Sequence, residues 1–367
     1  MRINIGFIGF GLIAGSIAKA IRIKHSDCKI YVYNRRHPDV SEPLAMAKED
    51  GTIDGIHGSL DLFSDCDVIF LCAPVLINIS YLKELKNIIK DTCILTDVGS
   101  VKGNIHKAVA GLSLERNFIG GHPMTGSDRT GYENSSHLLM ENAYYLLTPT
   151  KETSRHDITF LRTLVEEMGS IAYITDCDRH DEITAAISHL PHIIASSLVN
   201  VVRENDDEKQ LMKTFAAGGF KDITRIASSS PEMWQSICLS NPDYISRYID
   251  IFTDKLKNFK SSILAGDSSA LYKTFEQSRD YRNSIASTSS GALSKSYEIY
   301  VDVPDVPGII AIIATILSSN SVNIRNIGIV HNREFEEGVL RIEFNNEKDS
   351  IDARNALQRY PYRVYDR

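Results

Sequence analysis

Residues 3–16 read INIGFIGFGLIAGS, and this stretch decides the fold. An apolar run of strand character over residues 3–8 meets Gly9, Gly11 and Ala14 in the pattern G-x-G-x-x-G/A, and helical spacing follows over residues 14–22. Strand, glycine-rich turn and helix in that order form a dinucleotide-binding fingerprint. Gly9 permits the tight turn, Gly11 lets the backbone approach a pyrophosphate, and the small Ala14 lets helix pack on strand. Free N–H groups at the helix start attract the anion. Leu12 and Ile13 in the loop, with Ala73 and Pro74 after a later strand, complete the candidate cofactor contacts.

Outward from this loop, strand-like runs at residues 3–8, 29–33, 68–72, 93–97, 144–148 and 171–174 alternate with helical patterns at 14–22, 76–89 and 157–168. Such alternation predicts crossover units and a mainly parallel sheet. From residue 178 to about 284 the strand signal disappears, and 243–264 shows apolar residues at i, i+3, i+4 spacing. A Ser/Ala/Gly stretch then reads as a linker. Beyond it, strands and helices follow in the βαββαβ order of a ferredoxin-like domain. The expected organisation is an α/β Rossmann domain (1–175), an all-α domain (176–284), a linker (285–295) and an α+β ferredoxin-like domain (296–367).

The net charge of −7 argues against nucleic acid, whose binders carry a basic face. The six cysteines include no CxxC pair and sit largely in apolar runs, as reduced buried thiols do. The longest apolar stretch, residues 68–79, is broken by Pro74 and Asn78 and is too short to span a bilayer. The chain opens on a strand-like run rather than a signal peptide, so no membrane and a cytoplasmic location are expected.

Cofactor choice rests on the end of the second strand. In YVYNRR, residues 31–36, the neutral Asn34 stands where a carboxylate would bind both ribose hydroxyls of NAD and repel a 2′-phosphate. Arg35 and Arg36 can pair with that phosphate through charge-assisted hydrogen bonds, unless they are solvated surface cations. The expectation is NAD or NADP, with NADP at least accepted.

Four further segments carry chemistry. TDVGSVKG (96–103) follows a strand, which puts Ser100 at a carboxyl end, where open α/β sheets bind ligands. GGHPMTGSD (120–128) holds His122 between a glycine pair and a proline, and adds Ser127 and Asp128. HDEITAAISHLPH (180–192) spaces His189 and His192 at i, i+3, so both rings can share a helical face, while His180 is expected to cap or orient the helix start. AGGFKDITRIA (217–227) supplies Lys221 and Arg225 after the flexible pair Gly218-Gly219. Imidazole takes and returns a proton near pH 7, so these histidines behind a nucleotide-binding loop point to proton removal coupled to hydride transfer. Core packing beside Pro191 is the competing explanation for His189 and His192. No Cys or paired carboxylate stands at ligand spacing from them, so no metal is expected.

In this order, TDVGSVKG, GGHPMTGSD, SHLPH and GGFKDITRIA resemble the prephenate dehydrogenases of tyrosine biosynthesis, and the resemblance covers residues 1–285. It implies a Rossmann domain, a helical dimerisation domain, a homodimer, and conversion of prephenate and NAD(P)+ to 4-hydroxyphenylpyruvate, carbon dioxide and NAD(P)H. By the same resemblance His122 is the base that takes the ring hydroxyl proton, and Ser100 orients it and the substrate. Arg225 binds the ring carboxylate, and His192 with His189 meets the pyruvyl side chain. Ser127, Asp128, Lys221 and Gly218 complete the implied substrate set. Many family members have Glu where this chain has Asp128, the acid of an ionic gate with Lys221 and Arg225. A carboxylate facing the substrate side chain favours arogenate, whose ammonium replaces a ketone. Arogenate dehydrogenase is therefore the alternative activity, and a catalytically inactive nucleotide and amino-acid sensor is the alternative of another class.

Residues 300–329 resemble the ACT domain, a ferredoxin-like module that often binds amino acids. Asp305, Pro307 and Gly308 lead from the first strand into a helix whose free N–H groups can meet a carboxylate, and Asn323 opens the next strand. The expectation is feedback inhibition by tyrosine, against a domain that only oligomerises.

Overall fold

The computed structural model describes residues 3–34, 42–126, 129–288, 297–304, 306–330 and 338–365. They fall into two compact units, Met1–Ser268 and Ser269–Arg367. In the first, strands β1 (Asn4–Ile8), β2 (Lys29–Tyr33), β3 (Gly55–His57), β4 (Val68–Leu71) and β5 (Ile94–Asp97) form a parallel sheet in the order β3-β2-β1-β4-β5. This is the Rossmann order, with its topological switch between β1 and β4. All four residues of β4 are buried, and they alternate between two cores. Val68 and Phe70 join Ile17 and Ile21 of the helix Leu12–Lys24, whereas Ile69 and Leu71 join Leu82 and Ile105 of the helices Val75–Leu85 and Gly103–Gly111. Burial on both faces accounts for the continuous apolar runs of these strands.

Strands β6 (Ile119–Pro123), β7 (Tyr144–Pro149) and β8 (Ile171–Ile174) form a second sheet, β6 antiparallel to β7 and β7 parallel to β8. β6 borders β5 through a parallel bridge between Leu95 and Phe118, so their carboxyl ends share an edge. β3 and β6 are additions to the expected strands. A glycine pair and a proline disfavour a strand by propensity. In β6 the packing overrides that preference, because a Cβ on Gly121 would stand 2.6 Å from the Asp97 carbonyl oxygen.

From residue 177 the first unit is helical, with Cys177–Thr184, Leu190–Asn205, Pro231–Ser240 and Pro242–Leu264 as its longer helices. By length and composition alone the continuous span Cys177–Asn205 would suffice to cross a bilayer. Its buried His180, Asp181 and His189 instead tie it into the polar site described below.

The second unit contains the helix Ser268–Thr288 and then β9 (Tyr297–Val303), the helix Ile309–Ser319, β10 (Asn326–Val330), β11 (Gly338–Phe344), the helix Glu347–Leu357 and β12 (Arg363–Tyr365). The strands run antiparallel in the order β10-β11-β9-β12, the expected ferredoxin-like topology. Ile299 and Val301 of β9 pair with Ile342 and Leu340 of β11, and all four face Ile313 and Leu317 in one core. Asn323 lies in the connection before β10 rather than at its start. There the chain leaves the helix with Ser321 at φ 57° and the Val322 N–H bonded back to the Leu317 carbonyl. Pro307 and Gly308 are exposed at the start of the helix Ile309–Ser319, and Asp305 lies outside the described residues.

Candidate active site

The carboxyl ends of β1, β2 and β4 surround a cavity of about 260 Å³ lined by Gly9, Tyr33, Asn34, Leu44, Ala73 and Tyr81. Gly9 has φ 84°, and a Cβ there would stand 2.8 Å from the Ala73 nitrogen, so both the turn and the close approach require glycine. Gly11 precedes the helix Leu12–Lys24, and nothing lies within 4 Å of where its Cβ would be. The first turn at Leu12 and Ile13 therefore remains approachable by a phosphate, while the buried Ala14 packs inward. The backbone N–H of Asn34 donates to the His57 carbonyl at 2.9 Å. Arg35 and Arg36 lie outside the described residues. The cradle, the open helix start and the cavity together fit a dinucleotide.

Asn78, a polar residue in an apolar run, holds this cradle. It is fully buried, accepts from the Ala73 N–H at 3.1 Å, and donates to the carbonyls of Leu71 (3.1 Å) and Ala73 (2.7 Å). Pro74 then starts the turn into the helix Val75–Leu85. Asn78→Ala strands these backbone groups. It is expected to lower stability by about 1–3 kcal/mol and to weaken dinucleotide binding. Urea unfolding and a dinucleotide titration check this, and two unchanged values would exclude the assigned role.

His122 stands in β6 with 9% of its surface exposed. Its Nδ1 lies 2.8 Å from Nε2 of His180, and His180 Nδ1 lies 2.8 Å from Asp181 Oδ1. The Asp181 carboxylate also accepts the backbone N–H groups of Lys102 and Gly103, each at 2.8 Å, where the helix Gly103–Gly111 begins. Beside them, Lys102 Nζ donates to the Asp97 carboxylate and, at 2.6 Å, to the Gly121 carbonyl. Asp97 in turn accepts the N–H groups of Gly99 (3.0 Å) and Gly121 (3.2 Å). Both side chains of this Lys–Asp pair are fully buried.

Burial drives the His122 imidazole well below its ordinary value of 6.5, and the nearby His180 and Lys102 push it the same way. It is therefore neutral at pH 7. Burial also lowers His180, with its bond to Asp181 opposing. For Asp181, burial acts upward, but the bonds from His180 and the two backbone amides outweigh it and hold the carboxyl below its usual range. The helix start is capped by Asp176, which accepts the Arg179 N–H at 2.8 Å, so His180 is left to contact His122. Ser100 is half-buried in the loop after β5, and the bond on His122 Nδ1 comes from His180.

A π-helical turn, Ala185–His189, interrupts the span Cys177–Asn205. One inserted residue rotates the downstream helix by about 100°, bringing His192 from about 120° to about 20° away from the His180 face. His189 is fully buried, which pulls it down to about 4. Its Nδ1 lies 3.4 Å from the Asn241 amide nitrogen, which also donates to the Asp181 carbonyl at 2.9 Å. His192 stacks on Trp234 with ring centroids 3.7 Å apart. His189 Nε2 and Trp234 Nε1 are buried without a hydrogen-bond partner among the described residues. Arg225 begins a short turn that packs against the helix Leu190–Asn205. Burial lowers His192, and the Arg225 charge lowers it further. Gly218 and Lys221 are exposed on the helix Gly218–Thr224, and Ser127 and Asp128 lie outside the described residues. Among the described residues no cluster of His, Cys, Asp and Glu suits a metal ion.

Comparison with known proteins places this geometry in context. Residues 17–174 match the prephenate dehydrogenase nucleotide-binding domain, and residues 176–277 match the prephenate dehydrogenase dimerization domain. A prephenate dehydrogenase of Bacillus subtilis is 36% identical over 364 residues, 98% of this chain and 96% of that protein. The crystal structure of Aquifex aeolicus prephenate dehydrogenase with hydroxyphenyl propionate and NAD+ superposes with a TM-score of 0.73 at 30% identity, covering 78% of this chain and 99% of that one. Synechocystis arogenate dehydrogenase gives a TM-score of 0.69 at 27% identity, covering 77% and 100%.

Proposed function

Because this chain belongs to the prephenate dehydrogenase family, we propose that it oxidises and decarboxylates prephenate to 4-hydroxyphenylpyruvate. When bound, NAD or NADP supplies the hydride acceptor. The observation that carries the reading is His122. It is a buried, neutral imidazole held through Nδ1, and its Nε2 has no hydrogen-bond partner among the described residues. That nitrogen takes the proton of the substrate hydroxyl as hydride leaves the same carbon, and loss of carbon dioxide makes the ring aromatic. Arg225 offers a planar fork suited to the ring carboxylate. His192 and His189, beside a Trp234 N–H without a hydrogen-bond partner among the described residues, take the pyruvyl side chain. Ser100 keeps its assignment beside His122 as the residue that orients the base and the substrate, and Ser127, Asp128, Lys221 and Gly218 keep theirs to the substrate set.

Arg225→Ala is expected to weaken prephenate binding by about 1.5–3 kcal/mol, the range for a hydrogen bond to a charged group, with a much smaller effect on kcat. Steady-state titration of prephenate reads this directly, and an unchanged KM would remove Arg225 from the site.

The reading includes a homodimer, supported by exposed apolar side chains on the helical part, among them Ile187, Val201, Phe215, Ile223 and Leu239. It also places the enzyme in the cytoplasm, consistent with six free cysteines, three of them buried. Tyrosine is the proposed effector of the ferredoxin-like domain, at Asp305, Pro307, Gly308 and Asn323. Absorbance of the reduced nicotinamide, followed with prephenate and arogenate against NAD and NADP in turn, tests the activity. Turnover of prephenate is expected. Faster turnover of arogenate would change the substrate, a reading favoured by the match to the Synechocystis enzyme. Dinucleotide binding without turnover of either substrate would overturn the enzyme assignment.

A further inference from the structure

We infer that His180 and Asp181 form a positioning relay that fixes His122 as the Nδ1–H tautomer and stabilises the imidazolium it becomes. The inference rests on the reading of His122 as the base, and deepens it.

Proton placement follows from the donor and acceptor inventory of the chain of contacts. The Asp181 carboxylate accepts two backbone N–H groups, from Lys102 and Gly103, and these leave no reason for it to carry a proton of its own. Its third contact, His180 Nδ1 at 2.8 Å, must then be an N–H donor. A neutral His180 that is protonated on Nδ1 presents a lone pair on Nε2. The 2.8 Å contact from that nitrogen to His122 Nδ1 therefore requires His122 to donate from Nδ1. The lone pair of His122 is left on Nε2, the nitrogen without a hydrogen-bond partner among the described residues. An ionised carboxylate at one end thus dictates, two rings away, which nitrogen of the base is free.

The same chain acts during turnover. The substrate O–H bond breaks and the His122 Nε2–H bond forms, so the proton is conserved on the ring, and a bound dinucleotide would supply the hydride acceptor. The new positive charge lies in a site where burial opposes it. The Nδ1–H donates to His180 Nε2, and the Asp181 carboxylate lies one ring beyond, so the charge meets an oriented acceptor and a nearby anion. His180 and Asp181 touch neither substrate nor dinucleotide in this scheme; they act through His122.

A merely structural role for the pair, joining the segment after β5 to the helix Cys177–Thr184, makes different predictions. His180→Leu removes the acceptor facing His122. His180→Gln restores one, because its terminal amide reaches where Nε2 stood. We expect His180→Leu to lower kcat by about 10- to 100-fold, with KM for prephenate and dinucleotide affinity changed by no more than about threefold. His180→Gln should recover most of that loss even if its melting temperature is no higher than that of His180→Leu. Independently, ¹⁵N spectra of histidine-labelled wild-type enzyme, with the His122 signals assigned by their loss in His122→Asn, should show Nδ1 protonated and Nε2 bare. Protonation of His122 on Nε2 in the free enzyme would overturn the relay, whether or not the variants fold. So would wild-type kcat in folded His180→Leu. A fully active His122→Asn would instead defeat the underlying reading of the base, which separates the two failures.

Discussion

His122→Asn is expected to lower kcat by about 10²- to 10⁴-fold while leaving dinucleotide affinity unchanged. Asparagine suits the test because its amide nitrogen can stand where Nδ1 stood and still donate to His180 Nε2, which otherwise lies 2.8 Å from the imidazole. What the substitution removes is the far side of the ring, including Nε2, the nitrogen assigned to proton transfer. The dinucleotide cradle at Gly9, Ala73 and Asn78 is built from the ends of β1 and β4 and the helix Val75–Leu85, so it does not depend on this side chain. A drop in kcat with an unchanged dissociation constant therefore isolates proton transfer from folding and from cofactor binding. Stopped-flow single turnovers would place the loss in the chemical step. Retention of a tenth of the activity would remove His122 from the mechanism.

Lys102→Met should cost about 3–5 kcal/mol of stability, the range for breaking one partner of a buried ion pair. The Lys102 and Asp97 side chains have no exposed surface, so the Asp97 carboxylate left behind finds no water. The lysine also donates to the Gly121 carbonyl, and its loss removes a tie between β5 and β6 directly beside His122. Burial already works against the Lys102 charge, with Asp97 holding it in place. Thermal unfolding measures the effect, and for a unit of this size a loss of that magnitude lowers Tm by roughly 6–20 °C. A Tm within a degree or two of the wild type would show that the pair does not stabilise the fold. Asp97→Asn leaves a lysine that can lose its proton, but its single amide oxygen can accept from only one of Gly99 and Gly121, which bond different carboxylate oxygens, so a loss of similar size is expected.

Much of this architecture was legible in the sequence because it rests on local pattern. The run into Gly9, the alternation of strands and helices, and the βαββαβ order after residue 296 are each set by spacing within a few residues. β6 was not legible, since Gly120, Gly121 and Pro123 read as turn residues. The two glycines are required because β5 and β7 crowd the strand from both sides, a fact of tertiary packing. The histidines and Arg225 were visible as motifs, but the contact between His122 and His180 joins positions 58 residues apart, and no spacing rule reaches that far. Asp181 stood in plain view next to His180, and Lys102 inside the segment TDVGSVKG. Their roles emerge only once the helix Gly103–Gly111 directs its N–H groups at that carboxylate. Trp234 carried one available signal, being the sole tryptophan of the chain. The π turn that rotates His192 has no counterpart in a simple i, i+3 count.

The most direct test of a buried neutral imidazole acting as the base is the pH dependence of kcat/KM for prephenate, which reports the ionisation of the free enzyme. With His122 lowered well below 6.5, the unprotonated form persists as pH falls through neutrality. The profile should stay level from about pH 8 to about 6.5 and decline only in more acidic solution, and His122→Asn should lack that acidic limb. An acidic limb centred at or above 6.5, or one that survives in His122→Asn, would contradict the account.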